Sequence, residues 1–245
     1  MKKLIFCLAG MAFFAASLFG QRTINETYDL KSFKKLDLQF EYPQLVKVKV
    51  WDQPQVKIEG TVDIALGQHD DAFELSVSQR GDWFKIKSNI KDMKKWSRNI
   101  IVHDSDDDQT VVTSGNGQTI ITGSDGKYKY KNGVLVDIEL TITIPKNLDV
   151  RLDAQYGMVE VLESPRQLEV EARYGGIDIT IDESELQELE ARTQWGQIFS
   201  DLKLPIKVGG EDKMGQWMKA QIDLKKGQQR MTVESQYGNV FLRKN

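Results

Sequence analysis

The densest chemistry in this sequence is a run of alternate aspartates. Asp104, Asp106 and Asp108 place hard oxygen ligands at every second position, as the first three positions of a calcium loop do. The remainder of that loop is missing, because Gln109 stands where the glycine of the sharp turn belongs and Gly115 where the glutamate that closes the loop would sit. The expectation is a flexible acidic loop with weak Ca2+ binding at most, and no other cofactor. His69 and His103 are the only histidines, and without cysteine partners they form no zinc set of familiar spacing. The single cysteine, Cys7, lies in an apolar leader, so disulfides and thiol catalysis are excluded from the mature chain. Neither histidine belongs to a Gly-x-Ser-x-Gly context, which argues against a hydrolytic triad. Carboxylates on adjacent strands can still approach as a glycosidase pair does, so a carbohydrate-active enzyme stands as the alternative to a noncatalytic protein.

The second candidate is a repeated phrase of an aromatic or Met, then Gly, a polar or small residue, and an apolar one. It occurs at Tyr156-Gly157-Met158-Val159, Tyr174-Gly175-Gly176-Ile177, Trp195-Gly196-Gln197-Ile198, the degenerate Met214-Gly215-Gln216-Trp217, and Tyr237-Gly238-Asn239-Val240. A period near 20 residues predicts a β-solenoid whose coils each hold two short strands, with the glycine at the corner between them. Tyr156, Tyr174, Trp195 and Tyr237 would then form a column at about 4.8 Å per rung, a candidate binding surface for sugar rings or peptide strands. Their parity matches the inward apolar residues before them, so the same rings are expected to cap the core and stack on one another. The opposite parity gives an outward stripe: Asp153, Glu171, Arg192, Glu211 and Glu234, then Gln155, Arg173, Gln194, Lys213 and Gln236. This is a mixed polar stripe in which acid and base are expected to neighbour each other on adjacent rungs, and Arg173 and Arg192 join the candidate binding residues.

The elements that must position these residues are strands throughout. Met1-Lys2-Lys3 and the uncharged run Leu4 to Gly20 read as a signal peptide, residues 1–20, with the mature chain beginning near Gln21. Residues 21–90 carry alternating segments at Leu36–Phe40, Val46–Val50, Val56–Ile58, Phe73–Val77 and Phe84–Ile86, the N-terminal part of the solenoid. Residues 91–133 are an acidic, Gly/Ser-rich insertion loop in which Val111-Val112 and Thr119–Thr122 pair as a hairpin. Residues 134–245 hold the repeats. Without Lys2 and Lys3 the balance is 31 basic against 36 acidic residues, about −5, which removes the basic field that nucleic-acid binding requires. No second long apolar run follows the leader, so no membrane span is expected after cleavage, and the basic end at Arg243-Lys244 favours a monomer.

The Tyr-Gly-x-Val/Ile repeats, preceded by a strand ending in Thr143-Ile144-Pro145, resemble the bacterial "putative adhesin" family of β-strand-repeat proteins of unknown function. The resemblance runs from about Phe33 to the C-terminus and leaves out the acidic insertion. It implies an exported envelope protein built as a β-solenoid, in the periplasm or at the cell surface. No catalytic residue is defined for that family, so none is implied here. The expectation is therefore an all-β, single-stranded solenoid that works without catalysis by presenting a rigid face to a glycan or an envelope protein. A carbohydrate-active enzyme and an envelope-stress or signalling accessory protein are the alternatives.

Overall fold

A computed structural model of the chain describes residues 21–30, 33–96, 98–103, 112–113, 119–120, 128–209 and 217–245. The strands are β1 (Arg22–Asp29), β2 (Lys35–Phe40), β3 (Leu45–Trp51), β4 (Gln55–Ile64), β5 (Phe73–Arg80), β6 (Trp83–Ile90) and β7 (Arg98–His103). They continue with β8 (Val112–Thr113), β9 (Thr119–Ile120), β10 (Tyr128–Gly133), β11 (Val136–Pro145), β12 (Asp149–Ala154), β13 (Met158–Val161) and β14 (Gln167–Ala172). The last are β15 (Ile177–Ile181), β16 (Leu186–Thr193), β17 (Ile198–Ser200), β18 (Lys207–Gly209), β19 (Met218–Asp223), β20 (Gln229–Ser235) and β21 (Val240–Lys244). Among the described residues the only helical pieces are two short 3-10 turns, Asp70–Ala72 and Met93–Lys95.

Two large mixed sheets carry most of these strands. The first has eight, in the order β1-β4-β11-β3-β13-β15-β21-β17; the second has nine, in the order β18-β19-β16-β20-β14-β12-β2-β6-β5. Alternation sorts the side chains of each strand: Leu36 and Leu38, Val150 and Leu152, or Val46 and Val48 turn inward and are buried, while Asp37, Arg151 and Lys47 turn out. The inward residues of both sheets form one continuous apolar core. At about 25 cal/mol per Å² of apolar surface removed from water, this shared core is the main force holding the sheets face to face.

This is a sandwich-like arrangement and corrects the expectation of a single-stranded solenoid. The four repeats with an aromatic at the corner do span both sheets, with one strand before the corner and one after it. The repeats do not stack in chain order, however. The last one, β20 and β21, lies between β14 and β16 in one sheet and between β15 and β17 in the other. Antiparallel strands flank the parallel centre, β1, β4 and β11 on one side and β5, β18 and β19 in the second sheet. The degenerate fourth repeat forms no coil in the described part, since the chain after Trp217 runs antiparallel to β16 as β19. Period and parity are properties of one strand, whereas pairing order is decided between strands of nearly equal apolar pattern.

Within the stretch read as an insertion loop, β7, β8, β9 and β10 form a separate antiparallel sheet, and Val112–Thr113 pairs with Thr119–Ile120. Asp104, Asp106 and Asp108 lie outside the described residues, as do the leader 1–20, Glu211, Lys213 and Met214–Gln216.

Candidate functional site

Each corner between the two sheets is built the same way. The strand ahead of it ends on a small buried residue, Ala154, Ala172, Ser235 or Thr193, and the corner residue's N–H donates to the carbonyl of the rung beside it. Tyr156 donates to Glu41 at 3.2 Å, Tyr174 to Gln155 at 3.0 Å, Tyr237 to Arg173 at 3.0 Å and Trp195 to Gln236 at 2.9 Å. The glycine after the ring lets neighbouring backbones approach this closely. A Cβ on Gly175 would lie 1.5 Å from the Gly157 carbonyl oxygen, and one on Gly238 would lie 2.2 Å from that of Gly175. Where the slot before the corner is polar, its hydroxyl locks the turn. Ser235 Oγ donates to the Gly175 carbonyl at 2.9 Å and accepts from Gly238 N–H at 2.8 Å, and Thr193 Oγ1 makes the equivalent pair with Gly238 and Gly196.

The corners bring three of the four predicted aromatics into one stack and add a ring that the repeat pattern missed. Tyr156 and Tyr174 lie 5.2 Å apart at 12°, and Tyr174 and Tyr237 lie 5.2 Å apart at 6°. Tyr42 continues the row, 6.2 Å from Tyr156 at 16°. Tyr42 occupies the corner between β2 and β3, with Pro43 in place of the glycine. Its signal was the alternation Leu36, Leu38, Phe40, Tyr42, which matches Leu168, Val170, Ala172, Tyr174. Burial, the carboxylate of Glu41 and the neighbouring Tyr156 push the Tyr42 hydroxyl up to about 12.

Stacking was expected, but burial at the core was not the outcome. Tyr156, Tyr174, Tyr237 and Trp195 are 42, 54, 49 and 54% exposed. Parity stops at the end of a strand, and the corner backbone turns the rings outward beyond Ala154, Ala172, Ser235 and Thr193. Trp195 occupies the rung next to Tyr237, and among the described residues no ring stacks on it. Arg173 is exposed and sits one position ahead of the stack, between Gln155 and Gln236 on the adjoining rungs.

Arg192 is set apart from this row. It lies on the outer face of the nine-stranded sheet, 3.6 Å from Glu234 and 4.9 Å from the centre of the Trp217 ring. On that face the spatial order of rungs puts Glu234, not Arg192, beside Glu171 and makes three acids in succession: Asp153 pairs in register with Glu171, and Glu171 with Glu234. Partial burial and the surrounding Glu169, Asp153 and Glu234 hold the Glu171 carboxyl above its ordinary value. Asp153, Glu171 and Glu234, with Arg173 and Trp217, border a cavity of about 260 Å³. A larger groove of about 580 Å³ crosses the same face between Trp83, Arg151, Glu169 and Arg230. Lys35 and Arg151 cover the Trp83 ring at 5.5 and 5.3 Å. Among the described residues no group of three or more His, Cys, Asp or Glu side chains is arranged to hold a metal ion.

Across 92% of this chain and the whole of the other, the fold is similar to the solved structure of a "putative cell adhesion protein" from Clostridium sporogenes, with a TM-score of 0.50 at 10% identity. A "putative adhesin" from Bacteroides fragilis aligns over 91% of this chain and 97% of its own at 12% identity, but its TM-score of 0.24 is too low for shared architecture. No family model and no curated protein matches the chain. At such identity the first likeness speaks for the fold. No helix among the described residues is long and apolar enough to cross a membrane.

Proposed function

We propose that the protein is a noncatalytic, exported, adhesin-like module that presents a rigid aromatic row to a polymer or protein partner of the cell envelope. The observation that carries this reading is the exposed stack of Tyr156, Tyr174 and Tyr237, with Trp195 on the next rung. Solvent-facing aromatics held in a fixed array lose little side-chain entropy on binding, which is why such residues anchor interfaces. The cell-adhesion designation of the Clostridium sporogenes structure supports the same class of role. The expected result is saturable binding of the exported protein to an array of glycans, cell-wall polymers and envelope proteins. Binding by wild type that is lost in Tyr174→Ala and Trp195→Ala, with circular dichroism unchanged, is the supporting outcome; undiminished binding by both variants defeats it.

A second reading, a carbohydrate-active enzyme, has one observation in its favour. Glu171, with its proton held more tightly than usual, stands between two carboxylates beside an aromatic-walled cavity, an arrangement that suits a general acid. Glycan cleavage abolished by Glu171→Gln would select it over the first.

A further inference from the structure

Resting on the reading of the aromatic row as a binding face, we infer that its occupant is an extended, equatorially linked neutral glycan lying across the rungs, one sugar per rung. The first argument is pitch. The rings of Tyr156, Tyr174 and Tyr237 repeat at 5.2 Å. An extended β-1,4-linked pyranose chain advances by about 5 Å per sugar, close to the spacing between strands, and stays in phase with the row. A β-strand peptide presents same-side residues about 6.7 Å apart and slips out of phase within three rungs.

The second argument is the chemistry left exposed. Stacking at 6–12° covers the ring faces, so the inner tyrosines offer their edges and hydroxyls to solvent. The positions just ahead of them are Gln155, Arg173, Gln236 and, beside Trp195, Gln194. On the four rungs from Tyr156 to Trp195, three carboxamides, one guanidinium and three phenols provide donors and acceptors, and the carboxylate just ahead of Tyr42, Glu41, stands beyond them at the far end of the row; this complements hydroxyls and acetamido groups better than a densely charged polymer. Trp195 ends the row 54% exposed and, among the described residues, with no ring stacked on it, and an aromatic face is the surface on which the apolar side of a pyranose packs.

The test is calorimetry of the exported protein with β-1,4-linked gluco- and N-acetylglucosamine oligosaccharides of one to six sugars. α-1,4-linked glucose oligomers of the same lengths serve as the curved control. Affinity is expected to climb up to four sugars, the number of rungs from Tyr156 to Trp195, and then to level off, with no binding by the α-linked series. Tyr174→Phe keeps the stack and removes one hydroxyl, so it should weaken the tetrasaccharide measurably while leaving the melting temperature unchanged. Tyr174→Ala should weaken it about tenfold or more. Equal binding of α- and β-linked chains, or affinity independent of length, overturns the inference while leaving the broader binding reading intact. Binding only to a protein in the array overturns the glycan as occupant; binding to nothing in either experiment overturns both readings.

Discussion

Tyr174 and Gly175 are neighbours in sequence with opposite structural demands. Tyr174 touches a ring on each side yet is half exposed, so removing it forfeits two stacking contacts and little buried area. Tyr174→Ala is expected to cost about 1–2 kcal/mol in a urea titration, less than the roughly 3–5 kcal/mol typical of a buried ring. Gly175→Ala adds one methyl group against the Gly157 carbonyl oxygen and should cost about 3 kcal/mol or more, because the obstacle is backbone in the middle of a stack. A glycine variant as stable as the tyrosine variant would refute the close-approach account of the corner. The aromatic-Gly phrase was legible in the sequence because both residues have local, repeated roles. Exposure of the ring was not, since alternation describes a strand and Tyr174 lies just beyond the end of β14.

At the scale of the strand, the outer face of the nine-stranded sheet depends on which strands are neighbours. Chain order sets Arg192 directly after Glu171, but β20 inserts between β14 and β16, so Glu234 follows Asp153 and Glu171 instead, and Arg192 balances the row from its Glu234 end. The Glu171 carboxyl is raised in the folded protein, and the sign of its contribution follows. Its proton favours the fold at acid pH, and that contribution is lost as pH rises through the raised value. Glu171→Gln should therefore raise the melting temperature near neutral pH and change it little at about pH 4, where the native carboxyl is itself protonated. A gain of equal size at both pH values would mean that packing, not charge, sets the effect.

For the whole molecule, the decisive feature is that the C-terminal repeat lies inside both sheets, with a strand on each side of it, rather than at an edge. β16 and β17 reach the parallel stack only through β20 and β21, so residues 186–200 cannot complete their pairing until residues 229–245 are in place. Such long-range closure makes for slow folding. Ending the chain at Gln228 removes both C-terminal strands and leaves every other strand whole. Hydrogen exchange should then show Leu186–Thr193 losing protection while β2, β3 and β12 retain theirs. Full protection of Leu186–Thr193 in the truncated chain would show that β16 can pair with β14 directly. By itself, the sequence determined the all-β composition, the inward face of the core strands and the corner phrase, because each is written into a few adjacent residues as parity or as the absence of a Cβ. Only the tertiary structure decided the order of the strands, and with it the sandwich-like architecture, the place of Tyr42 in the row and the company of Glu171. Repeats of nearly equal apolar pattern compete for the same neighbours, and the choice among them rests on contacts summed over the whole core rather than on any one segment.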